Sequence, residues 1–359
     1  MQSILISGGC GFIGLNLIGY LSKHGYPALR IIDNLSVGTR EDLEAYLSNH
    51  GMILDVKENG RTIDIRWRPY GIEGRPVSVT LLIEDVRDRE AMIETVLPGE
   101  AIVHLAAQTG VIESVEDPRF DCQVNVMGTV NLLEAAVKNG SPAFVFASSA
   151  APMGDQPPPA REDTVPRPLS PYGASKLAGE GYCSAFSGSF SLPTCSLRFS
   201  NVYGPYSTYK SSVVAKFFRQ ALLGETLVVF GDGNQTRDFI HTQDLCHVIY
   251  LALGLMMEGR TRGGEQGEIF QVATGRETSV NELFGMIRSL VEDDTDIKVH
   301  VEYEPPRAGE IYRNYADITK ARTLLGFEPQ ISIKEGLRDT WAWFKTRFNP
   351  RQASPSISE

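Results

Sequence analysis

The sequence predicts an α/β fold in which a mainly parallel sheet carries helices on both faces. Short apolar runs alternate with amphipathic stretches through about residue 200, and this alternation is typical of parallel β-α units. The candidate strands are residues 4–6, 29–32, 80–83, 101–105, 143–147 and 194–199. Because ligands of open parallel sheets bind at the carboxyl ends of the strands, the site is expected at that edge.

A glycine-rich segment, SGGCGFIG at residues 7–14, joins the first strand to an amphipathic stretch. Gly8 would permit a sharp turn, Gly11 would let backbone N–H groups approach a pyrophosphate, and Gly14 would let the helix pack closely on its strand. Asp33 ends the second strand, where a carboxylate accepts ribose hydroxyls and repels a 2′-phosphate. The pattern predicts a Rossmann-type domain that binds NAD rather than NADP. A glycine-rich turn without a ligand is the less favoured alternative.

Three polar residues predict acid/base chemistry on a hydroxyl group. Ser149 follows the fifth candidate strand, and Tyr172 and Lys176 lie one helical turn apart, so their side chains share a face. Ser170 and Pro171 suit the N-cap and N1 positions of that helix. A phenol has a pKa of about 10, and a nearby ammonium and a positive nicotinamide both favour the phenolate. The Tyr and Lys alone could equally be an exposed surface pair.

Together these motifs resemble the extended short-chain dehydrogenase/reductases of the NAD-dependent sugar epimerase/dehydratase family, and most of all its UDP-sugar 4-epimerase branch. The likeness runs over residues 4–344. The further matching segments are DV at 85–86, HLAAQ at 104–108, NVMGT at 125–129, RFSNVYGP at 198–205, FGDGNQTRDF at 230–239 and RAGE at 307–310.

The resemblance implies a role for each matching position. The catalytic residues would be Ser149, Tyr172 and Lys176. The NAD-binding residues would be Gly8, Gly11, Phe12, Ile13, Gly14, Asp33, Asn34, Asp85, Val86, Leu105, Ala106, Ala107, Gln108, Asn125, Tyr172, Lys176 and Phe199. The substrate-binding residues would be Ser149, Asn201, Val213, Val214, Phe230, Arg237, Arg307, Glu310 and Asn314. Guanidinium groups bind phosphate oxygens bidentately, which suits the two arginines to a diphosphate.

The family pattern also implies a domain division. An NAD-binding domain would cover residues 1–200, with 236–262 returning to it. A smaller α/β nucleotide-sugar domain would cover 201–235 and 263–348. Residues 47–78 would form an inserted hairpin or flap, and 349–359 a disordered tail. Ser279 and Ser332, each followed three residues later by Glu, predict two helix starts.

The residues after Ser149 favour epimerisation. In the family, 4,6-dehydratases carry Asp and Glu there, whereas this chain has Ala150 and Ala151. The resemblance therefore implies a UDP-hexose 4-epimerase, with UDP-glucose and UDP-galactose as substrates and a 4-keto intermediate. Met153 stands where relatives carry a Tyr that lies near the sugar. Asn314 stands at a position where a bulky Tyr restricts the sugar site in 4-epimerases, and the smaller Asn would admit N-acetylated sugars. The alternatives are another nucleotide-sugar epimerase, such as a 2-epimerase, a reductase or dehydrogenase that releases its cofactor, and a non-catalytic NAD-binding regulator.

The composition of the chain excludes several classes of binding partner. The net charge of −10 argues against nucleic acid and anionic membranes. No apolar run approaches the roughly 20 residues that span a bilayer, no signal peptide precedes the first strand, and the five cysteines lack metal-ligand spacing. We expect buried, reduced cysteines, no metal and a cytoplasmic protein.

The family implies a homodimer formed by the helices at 121–139 and after residue 171. Burial of these helices within one subunit is the alternative.

Overall fold

The computed structural model describes residues 3–72, 76–208, 210–259, 267–306 and 311–347. The strands are β1 (Ile4–Ser7), β2 (Ala28–Asp33), β3 (Gly51–Asn59), β4 (Thr62–Pro69), β5 (Val77–Ile83), β6 (Ala101–His104), β7 (Phe144–Ser149), β8 (Thr194–Phe199), β9 (Asn201–Tyr203), β10 (Leu227–Phe230), β11 (Thr236–Arg237), β12 (Phe239–His241), β13 (Glu268–Val272), β14 (Thr278–Ser279) and β15 (Val301–Glu304). The helices are α1 (Phe12–Lys23), α2 (Arg40–His50), α3 (Arg89–Thr95), α4 (Val111–Glu116), α5 (Pro118–Cys122), α6 (Gly128–Lys138), α7 (Pro171–Phe190), α8 (Val213–Leu223), α9 (Thr242–Met257), α10 (Val280–Asp294) and α11 (Ile333–Arg347).

A nine-stranded sheet in the order β13-β8-β7-β6-β1-β2-β5-β4-β3 organises the molecule. All of its pairs are parallel except β5 with β4 and β4 with β3. Ile4 and Ile6 pack into the core on one face, and Leu5 packs into the core on the other. Burial on both faces explains why the parallel strands are continuous apolar runs. The predicted doubly wound α/β fold is confirmed.

The insertion is a hairpin, β3 and β4, that extends the sheet beyond β5. Its flap alternative is wrong, and its predicted range, 47–78, overlapped the end of α2 and the start of β5. On β4, Ile63, Ile65 and Trp67 are buried and alternate with outward side chains, which is the pattern of a sheet with one covered face. Trp67 Nε1 donates to the Leu47 carbonyl at 2.8 Å, joining the hairpin to α2. A bulge interrupts β3 between Ile53 and Asp55.

A second core lies between α8, α10 and α11, and Phe217, Phe218, Trp341 and Phe344 fill it. The helix starts predicted from capping boxes are confirmed: α10 follows Ser279 and α11 follows Ser332. The prediction that residues 263–348 belong to the nucleotide-sugar domain is wrong for β13, because β13 pairs with β8 in the large sheet.

The predicted helix at 121–139 is built from α5, one π-helical turn at Gln123–Met127 and α6. All five cysteines are free, but Cys122 is exposed, so the expectation that all are buried is wrong for this residue. Within the described ranges, no helix combines the length and apolar character needed to cross a membrane. The same residues contain no group of three His, Cys, Asp or Glu side chains suited to a metal ion.

Replacing Trp67 with Ala should lower the free energy of unfolding by about 3–5 kcal/mol, because the change leaves a cavity under the hairpin. Urea denaturation followed by circular dichroism measures this loss. Tyr70→Ala is the matched control, since Tyr70 is 63% exposed and its loss should cost less than about 0.5 kcal/mol. Equal losses in both variants would contradict the described packing of the hairpin.

Candidate active site

The glycine turn brings the start of α1 against the sheet. Gly8 has a positive φ of 72°, and a Cβ on Gly14 would lie 2.5 Å from the Gly9 Cα. Only glycine therefore permits this approach at either position. No side chain caps the first turn of α1, which leaves N–H groups at its N-terminus for an anion. The turn fits the pyrophosphate of a dinucleotide.

Asp33 holds this turn to the end of β2. Its carboxylate accepts the Cys10 N–H at 2.9 Å and the Leu35 N–H at 2.9 Å. Burial raises the pKa of Asp33, while these two backbone donors lower it. Since a carboxylate has about four acceptor positions, two remain for ribose hydroxyls.

A hollow of about 220 Å³ lies beside Asp33, at the ends of β2 and β5. Asn34 Nδ2 donates to Asp85 Oδ2 at 3.0 Å and closes one side of the hollow. Arg87 donates to both oxygens of Asp85, and these bonds lower the pKa of Asp85 to about 2. Asp85 is therefore an ionised acceptor. Arg61, on the hairpin turn, also lines the hollow, although sequence reasoning did not assign it to the site.

The segment after β6, which contains Leu105, Ala106, Ala107 and Gln108, is held by Asn125. The Asn125 side chain accepts from the Gln108 N–H at 2.8 Å and donates to the Gln108 carbonyl at 3.0 Å. Asn125 lies in the π-helical turn, a feature that is frequent at functional sites. The segment after β6 passes close to the glycine turn, because a Cβ added to Gly8 would lie 2.7 Å from the backbone nitrogen of Ala106.

Ser149, Tyr172 and Lys176 come together at the ends of β7 and α7. Ser149 is the last residue of β7, and its side chain is hydrogen-bonded to that of Tyr172. The Lys176 Nζ lies 6.0 Å from the centroid of the Tyr172 ring and donates to the Ala147 carbonyl at 2.8 Å. The position of Tyr172 follows from the helix start, because Ser170 caps α7 by accepting the Gly173 N–H.

Burial controls the protonation of this group. It raises the pKa of Tyr172 to about 12, Ser149 lowers that pKa, and Asp121 raises it. Burial also lowers the pKa of Lys176 to about 8, against the opposing effect of Asp121. The expectation that the Lys176 ammonium lowers the Tyr172 pKa is not met, because the neighbouring groups that act on this pKa are Ser149 and Asp121. A phenolate at neutral pH needs a further positive charge beside the ring.

Asp121 is a neighbour of the site that sequence reasoning missed. It is 1% exposed and accepts from Asn125 Nδ2 at 2.8 Å. Asn125 also contacts Ser175 Oγ at 3.1 Å, so α5, the π-helical turn and α7 are joined beneath Tyr172. The available signal was the spacing of Asp121 four residues before Asn125, which places both on one helix face.

A second pocket, of about 430 Å³, lies in the part of the molecule formed by β10 and β15. Phe230 ends β10 and lines this pocket with Gln235, Glu304 and Tyr312. Tyr312 donates to Asp232 Oδ2 at 3.3 Å. An aromatic side chain among polar groups suits a nucleoside, with stacking and hydrogen bonding available. Glu304 and Tyr312 were missed because their approach to Phe230 depends on strand pairing.

The other substrate candidates differ in their surroundings. Arg237 and Asn314 lie close together, since the Asn314 N–H donates to the carbonyl of the residue before Arg237 at 3.2 Å. Asn201 is half-buried at the start of β9. The side chain of Val214 is 1% exposed and packs in the second core, whereas Val213 is half-buried at the start of α8. Arg307 and Glu310 lie outside the described residues.

Met153 does not line an open sugar site. Its side chain is 3% exposed, and its sulfur accepts from Arg198 Nη1 at 3.0 Å. Arg198 is also paired with Glu180 at 2.8 Å, with both side chains 1% exposed. The expectation that position 153 lies near the sugar is therefore not met, because Met153 packs on a buried ion pair.

Phe199, the remaining cofactor candidate, ends β8 next to Ser149 on β7. Phe12 and Ile13 begin α1, and Val86, in the segment that follows β5, is 6% exposed. These positions surround the carboxyl edge of the large sheet, as the parallel topology requires.

Comparison with known proteins relates this geometry to a family. The model of the NAD dependent epimerase/dehydratase family matches residues 4–273. A UDP-glucose 4-epimerase of Mycolicibacterium smegmatis is 35% identical over 347 residues, or 96% of this chain and 98% of that protein. The solved UDP-glucose 4-epimerase of Thermus thermophilus in complex with NAD has a TM-score of 0.77 at 30% identity, covering 96% of this chain and 100% of that one. The UDP-N-acetylglucosamine 4-epimerase of Methanobrevibacter ruminantium M1, in complex with UDP-N-acetylmuramic acid, has a TM-score of 0.78 at 30% identity, covering 96% and 98%.

The phenol of Tyr172 should keep its proton at about pH 11 in protein freed of nucleotide, where an ordinary tyrosine is largely ionised. Its raised pKa means that the folded protein retains this proton between the usual value and about 12. Ultraviolet phenolate absorbance of wild type minus Tyr172→Phe measures the titration. NAD⁺ should move the midpoint to lower pH by adding positive charge. A midpoint near the ordinary value without nucleotide would contradict the described burial.

Proposed function

Because the chain belongs to the NAD-dependent epimerase/dehydratase family, we propose that it is a UDP-hexose 4-epimerase. Its cofactor is NAD. Relatives that epimerise UDP-sugars support the broader assignment to nucleotide-sugar epimerases. Within it, we propose that UDP-glucose and UDP-galactose are interconverted through a 4-keto sugar.

The arrangement of Ser149, Tyr172 and Lys176 carries this proposal. Ser149 and Tyr172 are hydrogen-bonded to each other, so both can contact one substrate oxygen. Ala150 and Ala151, which follow Ser149, offer no ionisable group. Elimination of water requires an additional acid and base at neighbouring carbons, whereas epimerisation requires one group that takes and returns one proton.

In the proposed mechanism, Tyr172 as phenolate takes the proton of the C4 hydroxyl. NAD⁺, which the glycine turn and Asp33 would hold, would supply the acceptor for the C4 hydride and the donor that returns it to the opposite face. Ser149 donates a hydrogen bond to the sugar oxygen, and Tyr172 then gives its proton back to that oxygen. Lys176 would hold the nicotinamide ribose, and the positive nicotinamide would favour the phenolate of Tyr172. The proton and the hydride both return, so no net oxidation occurs.

We assign the nucleoside to the pocket at Phe230. Its ring offers a face for a base, and Gln235 and Glu304 offer polar atoms around it. The Lys216 ammonium lies 5.6 Å from the centroid of the Phe230 ring, which adds positive charge near an anionic ligand. Arg237 is the proposed diphosphate contact. The UDP-sugars named for the relatives support uracil as the base.

We further propose a cytoplasmic homodimer. Exposed apolar side chains lie on α4, at the end of the π-helical turn and on α7: Val111, Ile112, Val115, Met127 and Tyr182 are 42–65% exposed. Large exposed apolar patches mark interaction sites, and a second copy of the chain would cover this one. The free cysteines are consistent with a reducing compartment.

The proposed reaction is tested by incubating the purified protein with UDP-, dTDP-, GDP- and CDP-sugars without added NAD. UDP-glucose and UDP-galactose should interconvert with no accumulation of NADH. Tyr172→Phe should abolish turnover while NAD stays bound, because only the acid/base proton is lost. Near-normal turnover in this variant, stoichiometric NADH or a dehydrated product would overturn the proposal.

The substitution Asn314→Tyr should lower the kcat/KM for UDP-N-acetylglucosamine about 10-fold or more relative to that for UDP-glucose. Asn314 is half-buried beside Arg237, and the larger ring would fill space that a 2-acetamido group needs. Steady-state kinetics with both sugars measures the ratio, and Asn314→Ala, which adds no bulk, is the control. An unchanged ratio in Asn314→Tyr would remove Asn314 from the sugar site.

A further inference from the structure

The turn of the inserted hairpin lies at the ligand-binding edge of the sheet. β4 pairs antiparallel with β5, with Thr62 opposite Leu82, so the β3–β4 turn reaches the carboxyl end of β5. There the Ile83 N–H donates to the Arg61 carbonyl at 2.9 Å. The backbone of Arg61 is thus fixed beside the hollow at the ends of β2 and β5.

The hairpin is held in this place by contacts remote from the hollow. Trp67 is buried against α2, and Arg40 of α2 donates to Glu58 on β3 at 2.9 Å. The Arg61–Glu84 pair, at 3.2 Å, has an Arg61 side chain that is 75% exposed. An exposed pair contributes about 0–1 kcal/mol. Stability of the hairpin therefore does not explain why a guanidinium lies at this turn.

The chemistry of the hollow suits adenine. Its wall contains the apolar side chain of Ile83 and the carboxylate of Asp85 beside Asn34, and Arg61 stands at its rim. Adenine presents a flat π face on which a guanidinium stacks, and its other face can pack on the apolar side chain of Ile83. The volume of about 220 Å³ accommodates a purine ring, and Asp33, one residue before Asn34, is placed for the adjoining ribose.

We propose that the inserted hairpin is an adenine clamp, in which the Arg61 guanidinium covers one face of the adenine ring of bound NAD. This proposal rests on the placement of NAD along the carboxyl edge of the sheet. It gives the hairpin a function in cofactor retention, at the end of NAD that is remote from Tyr172. Selection of the sugar is independent of it.

The clamp is tested by equilibrium titration of nucleotide-free protein with ADP-ribose, the portion of NAD that contains adenine. Arg61→Ala should weaken binding about 3- to 30-fold, as expected for loss of a cation–π contact of about 0.5–2 kcal/mol. Arg68→Ala removes the same charge from an exposed position on β4 and should leave the affinity unchanged. Arg61→Lys keeps the charge without the planar face and should recover only part of the affinity.

Asp33→Asn separates failure of the clamp from failure of the cofactor placement, because Asp33 is the proposed ribose contact. Weakening in Asp33→Asn with wild-type affinity in Arg61→Ala would overturn the clamp and keep the placement. Wild-type affinity in both variants would overturn both. Full affinity in Arg61→Lys, or equal losses in Arg61→Ala and Arg68→Ala, would show a general charge effect and overturn the stacking. Thermal unfolding of each free variant verifies that the fold is retained.

Discussion

The partly buried carboxylate of Asp33 links the two features on which the candidate site depends. It accepts one N–H from the glycine turn and one from the segment after β2. A buried carboxylate is costly unless hydrogen bonds compensate for the lost water, and here backbone donors supply two of them. The result is a turn whose N–H groups keep a constant position relative to the end of β2. Every proposed contact of the adenosine half of NAD is arranged around that junction.

At the opposite end of the site, burial and charge act against each other. Burial disfavours both the phenolate of Tyr172 and the ammonium of Lys176. Asp121 supports the ammonium and opposes the phenolate, while Ser149 supports the phenolate. Such a balance leaves Tyr172 protonated until positive charge arrives with the cofactor. In the proposed mechanism, binding of the oxidised cofactor would therefore also activate Tyr172 as the base.

Local signals in the sequence were sufficient for the elements that carry the proposed chemistry. The strands, the glycine turn and the cap of α7 at Ser170 all depend on residues within a few positions of each other, and Ser149, Tyr172 and Lys176 follow from them. Arg61, Glu304 and Tyr312 were missed because long-range pairing brings them to their places, whereas the four-residue spacing of Asp121 and Asn125 offered a local signal that was not used. Long-range pairing also explains why β13 was assigned to the wrong domain, because no local pattern indicated its pairing with β8. The position of the hairpin turn likewise depends on the register between β4 and β5.

The hairpin also changes the boundary of the sheet. With β3 outermost, a row of backbone groups at one side of the molecule is open to another strand, which is a known route to aggregation. The bulge between Ile53 and Asp55 breaks the regular spacing of those groups, and the charged residues Asp55, Lys57 and Glu58 lie along the same strand. Irregular spacing and charge both disfavour edge-to-edge addition. The hairpin therefore adds two strands to the sheet, and the new edge strand remains a poor template for edge-to-edge aggregation.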